Sequence, residues 1–171
     1  MSETPAKITI HPVTHRERDW VDEIYRSWGA DFIVTRGRKV YAADTEGFYA
    51  ADTDGDRVGL LTYQINGDQC EIVTLDAFDK FRGIGTALLD RIIPYLKEEG
   101  VRRLWLITTN DNIDAIRFYQ RRGFTIAAVH VSALDESRRL KPSIPLIGMN
   151  GIPLRDEIEF EMLLNCKESD D

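Results

Sequence analysis

Apolar positions change period along this chain, and the changes mark its elements. Ile8, Ile10 and Val13 read as a short first strand. Thr14 can cap a helix in which Trp20, Val21, Ile24, Tyr25 and Trp28 recur on one face, and Gly29 ends it. Residues 32–41 alternate poorly and carry Arg36, Arg38 and Lys39, so they read as irregular structure with room for a short strand. From Gly47 the period becomes that of strands. Residues 48–51, 58–65 and 70–75 form a predicted meander, with Asp54-Gly55 and Asn66-Gly67 as its hairpin turns.

A helix is predicted over 83–99, with Leu88, Leu89, Ile92, Ile93 and Leu96 as its apolar stripe. Pro94 inside that stripe predicts a kink or an early end. The continuous apolar run 104–108 suits a strand buried on both faces. Asn110 or Asn112 can cap the next helix, which carries Ala115, Ile116, Phe118 and Tyr119 and stops at Gly123. Residues 124–131 and 158–164 read as strands. The long connection 134–155, with Pro142, Pro145 and Pro153, is of a kind that is more often functional than idle. The order β-α-β-β-β-α-β-α-β-β implies a mixed sheet with helices on both faces.

Composition narrows the class. A length of 171 residues suits a single domain over 1–171, and 43% hydrophobic with 30% charged residues is ordinary for a globular protein. No apolar run approaches the roughly 20 residues of a membrane span. Residues 1–7 lack the apolar segment of a secretory signal. Cys70 and Cys166 make neither a disulfide framework nor a metal motif, so a reduced, cytoplasmic setting is expected. The net charge of −7 argues against a nucleic-acid partner and would favour cationic molecules such as amines.

Chemistry concentrates in two motifs. Lys80-Phe81-Arg82-Gly83-Ile84-Gly85-Thr86 joins a strand to a helix. Its glycines admit a ligand close to the backbone, the free N–H groups of the helix start attract an anion, and Lys80 and Arg82 add positive charge. The third glycine of a dinucleotide fingerprint is missing, and no Gly-Lys-Ser/Thr of a nucleotide loop follows. One strand later comes Asn112-Ile113-Asp114-Ala115-Ile116-Arg117-Phe118-Tyr119, followed by Gly123-Phe124.

The linked pair resembles the cofactor-binding core of the GNAT superfamily of N-acetyltransferases, over about residues 71–124. Two departures stand out. Lys80 occupies a position that is usually Gln or Arg, and Asp76 lies at a strand end that is usually apolar. The resemblance implies an α/β (α+β) fold with a mixed, mostly antiparallel sheet of about seven strands, splayed between its fourth and fifth. It implies acetyl-CoA as co-substrate, with no metal. Backbone groups near Leu75 and Ala77 would pair with the pantetheine arm. The amides of Phe81, Arg82, Gly83, Ile84, Gly85 and Thr86, with Lys80, would hold the pyrophosphate. Asn112 would contact the pantetheine or order its loop, and Ala115 and Phe118 would lie along the cofactor cleft.

Transfer to an amine needs a base, an oxyanion donor and a proton for the leaving thiolate. The family pattern places Tyr119 as the acid, and a backbone N–H near Ala77 would serve as oxyanion donor. For the base, Glu71, Asp76 and a water chain all remain open. A period of two puts Glu71 and Asp76 on opposite faces of their strand, unless a bulge intervenes. In this fold the acceptor side falls in the segments 14–47 and 131–156, expected as loops. Their candidate residues are Trp28, Arg36, Arg38, His130, Asp135, Arg138, Arg139 and Lys141. The arginines point to an anionic group on the acceptor, whereas the overall charge points to a cationic one. The function implied is acetyl transfer to a primary amine of a small molecule or peptide, with homodimerisation left open. The alternatives are a non-catalytic acyl-CoA-binding module on the same fold and a nucleotide-binding protein.

Overall fold

The computed structural model describes residues 7–78 and 83–165. Seven strands form one sheet in the order β1-β4-β5-β6-β7-β9-β8. They are β1 (Thr9–Pro12), β4 (Glu46–Ala51), β5 (Arg57–Asn66), β6 (Gln69–Ala77), β7 (Arg103–Thr109), β8 (Thr125–His130) and β9 (Glu157–Leu163). A separate hairpin holds β2 (Phe32–Thr35) and β3 (Arg38–Tyr41). The helices are α1 (Arg18–Ser27), α2 (Ile84–Glu98), α3 (Ile113–Arg121) and α4 (Ala133–Leu140). Every strand pairing is antiparallel except β6 with β7. Among the described residues, no helix is long and apolar enough to cross a membrane.

One face of the sheet carries the main core. Leu88, Leu89, Ile92 and Leu96 of α2 pack there with Leu61, Ile72, Leu104 and Phe160, and α3 adds Tyr119. The opposite face meets α1, through Val21 and Tyr25 against Leu60 and Ala42. Thr14 caps the approach to α1 in a reciprocal box with Glu17.

Three expectations are corrected. Residues 32–41 are a regular hairpin, because Arg36 and Gly37 both take positive φ and form a tight two-residue turn that matches strand twist. Residues 133–140 are helical, so the connection expected over 134–155 carries α4, whereas α1 forms where a helix was expected. Only Leu134 and Ser137 of α4 are buried, and its charged outer face hid the period. Finally, α2 runs through Pro94 to Glu98, close to the predicted 83–99, so of the kink or early end expected at Pro94 the early end does not occur. Ile92 and Leu96, both fully buried, hold the turns on either side of the proline, and their burial offsets the lost hydrogen bond.

Strand β7 also departs from expectation. Leu104, Leu106 and Thr108 are buried, whereas Trp105 and Ile107 are only half-buried, because each lines a cavity on the α1 side of the sheet.

Candidate active site

Strands β6 and β7 pair only from Gln69 opposite Arg103 to Ile72 opposite Leu106. Beyond that point the two strands continue without pairing to each other. The other edge of β6 stays paired with β5 as far as Ala77 opposite Gly59. Backbone groups of residues 73–77 therefore face a wedge-shaped gap. An open strand edge of this kind accepts an extended ligand as an added strand.

At the mouth of the gap lies the start of α2. Gly83 takes a left-handed conformation, φ +69°, with nothing within 4 Å of where a Cβ would sit. Ala87 N–H donates to the Gly83 carbonyl at 3.0 Å, which is the first bond of the helix. The N–H groups of Ile84, Gly85 and Thr86 thus have no intrahelical acceptor. The Ile84 side chain is sunk in the core, so this residue offers only its backbone. A Cβ on Gly85 would come within 3.1 Å of the Phe118 ring, so glycine here lets α3 pack closely on α2. Lys80, Phe81 and Arg82 lie outside the described residues. The Asn112 side chain accepts from Ala115 N–H at 3.1 Å and so orders the start of α3.

On the opposite side of the sheet, a cavity of about 450 Å³ is lined by Trp28, Thr35, Glu71, Thr74, Asp76 and Glu157, among others. The ladder between β5 and β6 explains how Glu71 and Asp76 both reach it. Thr62 stands opposite Thr74, but Tyr63 stands opposite Ile72, so Val73 is an extra residue bulged out of the register. Below the bulge Glu71 faces the same way as Gln64, and above it Asp76 faces the same way as Leu60. Gln64 and Leu60 are four apart on β5 and share a face.

The two carboxylates live in different surroundings. Glu71 accepts from Thr35 Oγ1 at 2.8 Å and is paired with the Arg38 guanidinium. Burial raises its pKa, and those two partners oppose the rise. Burial alone pushes the Asp76 carboxyl up to about 6. Close by, a buried chain of hydroxyls runs from Tyr25 to Thr62 and Thr74, with both links 2.7 Å, and ties α1 to the sheet.

Tyr119 approaches from the other face. It is 7% exposed and packs edge-on against Phe118 and Phe124 at ring separations of 5.3 and 5.4 Å. Its phenol pKa is raised by burial and further by the negative charge of Asp76. Cys70 sits in the main core, and burial pushes its thiol up to about 12, which leaves it without a nucleophilic thiolate at neutral pH.

Residues 15–124 match the acetyltransferase (GNAT) family. The chain belongs to that family. It is 41% identical over 144 residues to the protein YdhI of Bacillus subtilis, a match covering 84% of this chain and 90% of the relative. Among solved structures, an IAA acetyltransferase from Bacillus cereus superposes with a TM-score of 0.69 at 19% identity, covering 92% of this chain and 100% of the other. A GNAT acetyltransferase from Elizabethkingia anophelis with acetyl-CoA bound gives 0.68 at 24% identity, covering 92% and 98%. Family membership makes the chain an acyltransferase.

An acyl-CoA suits the groups on this GNAT scaffold: an open β6 edge for the amides of its arm and free α2 amides for its phosphates. The acceptor-side candidates divide. Trp28 reaches the cavity. Arg36 and Arg38 reach it only through partners that line it, since Arg36 N–H donates to Glu157 and Arg38 is paired with Glu71. His130 contacts Glu159 at 3.1 Å. Arg138 donates to the Pro145 and Leu154 carbonyls and pairs with Asp135, so it braces the loop. Arg139 pairs outward with Glu136, and Lys141 lies over the Phe32 ring.

Sequence reasoning missed Thr35, Thr62, Thr74 and Glu157. Glu157 is 1% exposed and accepts from Arg36 N–H at 3.1 Å and Ser137 Oγ at 3.2 Å. The threonines were visible as hydroxyls inside apolar strands, which is where a buried polar cluster would leave its trace.

Proposed function

We propose that the chain transfers an acetyl group from acetyl-CoA to a primary amine by direct attack, with Asp76 as base and Tyr119 as acid. The observation that supports this reading is the geometry of the β6–β7 gap, with Asp76 lining the cavity on one side of the sheet and Tyr119 packed in the core on the other. Asp76 addresses the acceptor cavity, and Tyr119 belongs to the cofactor side.

Each residue has a defined task. The carboxylates of Glu71, Asp76 and Glu157 favour a cation in the acceptor cavity, and Trp28 supplies an aromatic wall. Asp76 takes a proton from the bound ammonium. Its raised pKa makes it a better acceptor than an ordinary carboxylate, and protonation relieves its burial penalty. The neutral nitrogen then adds to the acetyl carbon to give a tetrahedral intermediate, which expels the thiolate as the carbon–sulfur bond breaks. Backbone N–H groups near Ala77 stabilise the intermediate oxyanion. Tyr119 donates a proton to the departing sulfur, whose negative charge is itself disfavoured where water is excluded, and the second proton lost from the nitrogen returns through solvent to the phenolate. Glu71 is engaged by Thr35 and Arg38 and fixes the β2–β3 hairpin against the cavity.

Acetyl-CoA binding is measured by calorimetry, and transfer by thiol release over a panel of primary amines. Micromolar binding with amine-dependent release supports the reading. Tight binding without release on any amine would overturn it in favour of a non-catalytic acyl-CoA-binding module.

A further inference from the structure

A second and larger cavity, of about 560 Å³, adjoins the first on the same side of the sheet. Arg36, Arg38, Gln64, Asn66 and Trp105 line it, and Glu71 is the wall it shares with the acceptor cavity. Both arginines come from the tight β2–β3 turn. Their guanidinium groups are about half exposed, at 47% and 45%, while the carboxylates behind them are nearly buried, at 8% for Glu159 and 4% for Glu71. Each arginine is thus held from behind and keeps further N–H donors turned toward the cavity. The side-chain amides of Gln64 and Asn66 can supply more.

The two cavities have opposite chemistry. The first presents Glu71, Asp76 and Glu157, and the second presents two guanidinium groups. The geometry points to an elongated acceptor that carries a carboxylate or phosphate remote from its reacting amine, with the anion seated between Arg36 and Arg38. This rests on the proposed placement of the amine beside Asp76. Asp76 and Glu71 are five positions apart on β6, or about 13–16 Å once the bulge is allowed for. That span exceeds the amine-to-carboxylate distance of a free amino acid. It matches an extended chain of about four residues. A short peptide with a free N-terminus and an acidic residue near its fourth position therefore has the right form. A spaced amine with a terminal phosphate has the same chemistry.

The test uses a series of peptides with a free amino terminus, in which positions two to six carry in turn Glu, phosphoserine, Gln or Lys. Turnover is followed by thiol release, and binding by calorimetry with CoA present. A KM about tenfold or more lower for Glu or phosphoserine than for Gln is expected, greatest near position four. Comparing Glu with phosphoserine tells which anion the site prefers. In Arg36→Gln and Arg38→Gln the ratio between the Glu and Gln peptides should fall towards one, a readout that survives a general loss of activity. Equal KM values and equal binding across the series would overturn the inference while leaving amine transfer intact. Preferential binding of the acidic peptides without any turnover would support the subsite and count against the proposed transfer.

Discussion

Glu71 and Asp76 stand an odd number of positions apart on β6 and still face the same cavity, because Val73 bulges out of the ladder with β5. In an unbroken strand one of them would be buried in the apolar core against α2. The bulge therefore supplies one cavity with two carboxylates in unlike surroundings. Glu71 has a hydroxyl and a guanidinium as partners, whereas the Asp76 carboxyl is set by burial alone.

That difference separates them as bases. The rate profile of kcat/KM should rise through about pH 6, as Asp76 loses its proton. Asp76→Asn should abolish that limb and lower kcat/KM by about 10²-fold or more. Glu71→Gln should lower activity but keep the limb. A limb that survives in Asp76→Asn and vanishes in Glu71→Gln would reverse the assignment.

Asp76 should also cost the empty protein stability. Its folded pKa of about 6 lies above the ordinary 3.8, so the fold binds more protons than the unfolded chain between those values. The penalty is absent below about pH 4, grows as pH rises and is complete above about pH 7. Asp76→Asn should then be more stable than the parent by about 2–3 kcal/mol at pH 8, and equal to it near pH 4. Thermal melts at the two pH values read this directly. A variant less stable at pH 8 would contradict the burial argument.

Tyr119→Phe keeps the ring that packs against Phe118, Phe124 and Phe160. Acetyl-CoA affinity and melting temperature should change little, while turnover falls by about 10²-fold. Because the phenol pKa is raised, the parent should show no falling limb from this group below pH 10. Equal turnover by the variant would remove Tyr119 from the acid role.

The acceptor-side loop is clamped by the turn that precedes α3. Asp111 accepts from Thr109 Oγ1 at 2.5 Å and from Met149 N–H at 2.8 Å, and Asn110 accepts from Arg155 and Asp156 N–H at 3.0 Å. A Cβ on Gly148 would lie 2.0 Å from the Asp111 carboxylate. Gly148→Ala should therefore destabilise the protein by about 1–3 kcal/mol. It should also expose residues 142–156 to limited proteolysis and raise KM for the acceptor more than for acetyl-CoA. A protease-resistant variant with unchanged kinetics would show that the clamp is dispensable.

The parts of the fold that were legible in the sequence rest on strong local signals. The β5–β6 turn and the α2 stripe follow from Asn66-Gly67 and from Leu88, Leu89, Ile92 and Leu96. The β2–β3 hairpin was not legible, because Arg36 adopts φ +49° at a position where glycine or asparagine would have announced the turn. Helix α4 begins after a serine, Ser132, but only Leu134 and Ser137 of its eight residues are buried, so it carries no apolar stripe to mark it. The facing of Asp76 depends on a bulge, which is a property of the pairing of two strands and leaves no mark in either one alone. The residues proposed to hold the cofactor lie in contiguous motifs. The acceptor side is assembled from Thr35, Glu71 and Glu157, which come from three distant segments and meet only in the folded chain.

The short β6–β7 ladder divides the sheet into two leaves, which the core against α2 also bridges. One leaf holds β1, β4, β5 and β6, the other holds β7, β9 and β8, and four register pairs form the spine. A ligand that laces the open edge of 73–77 stiffens the binding between the leaves as it docks. Amide hydrogen exchange should then slow on both sides of the spine when acetyl-CoA binds, including on β7 and β9, which the ligand does not need to touch. On the proposed placement, donor binding should then alter the shape of the cavity beside Asp76, because Asp76 lies on one leaf and Glu157 on the other.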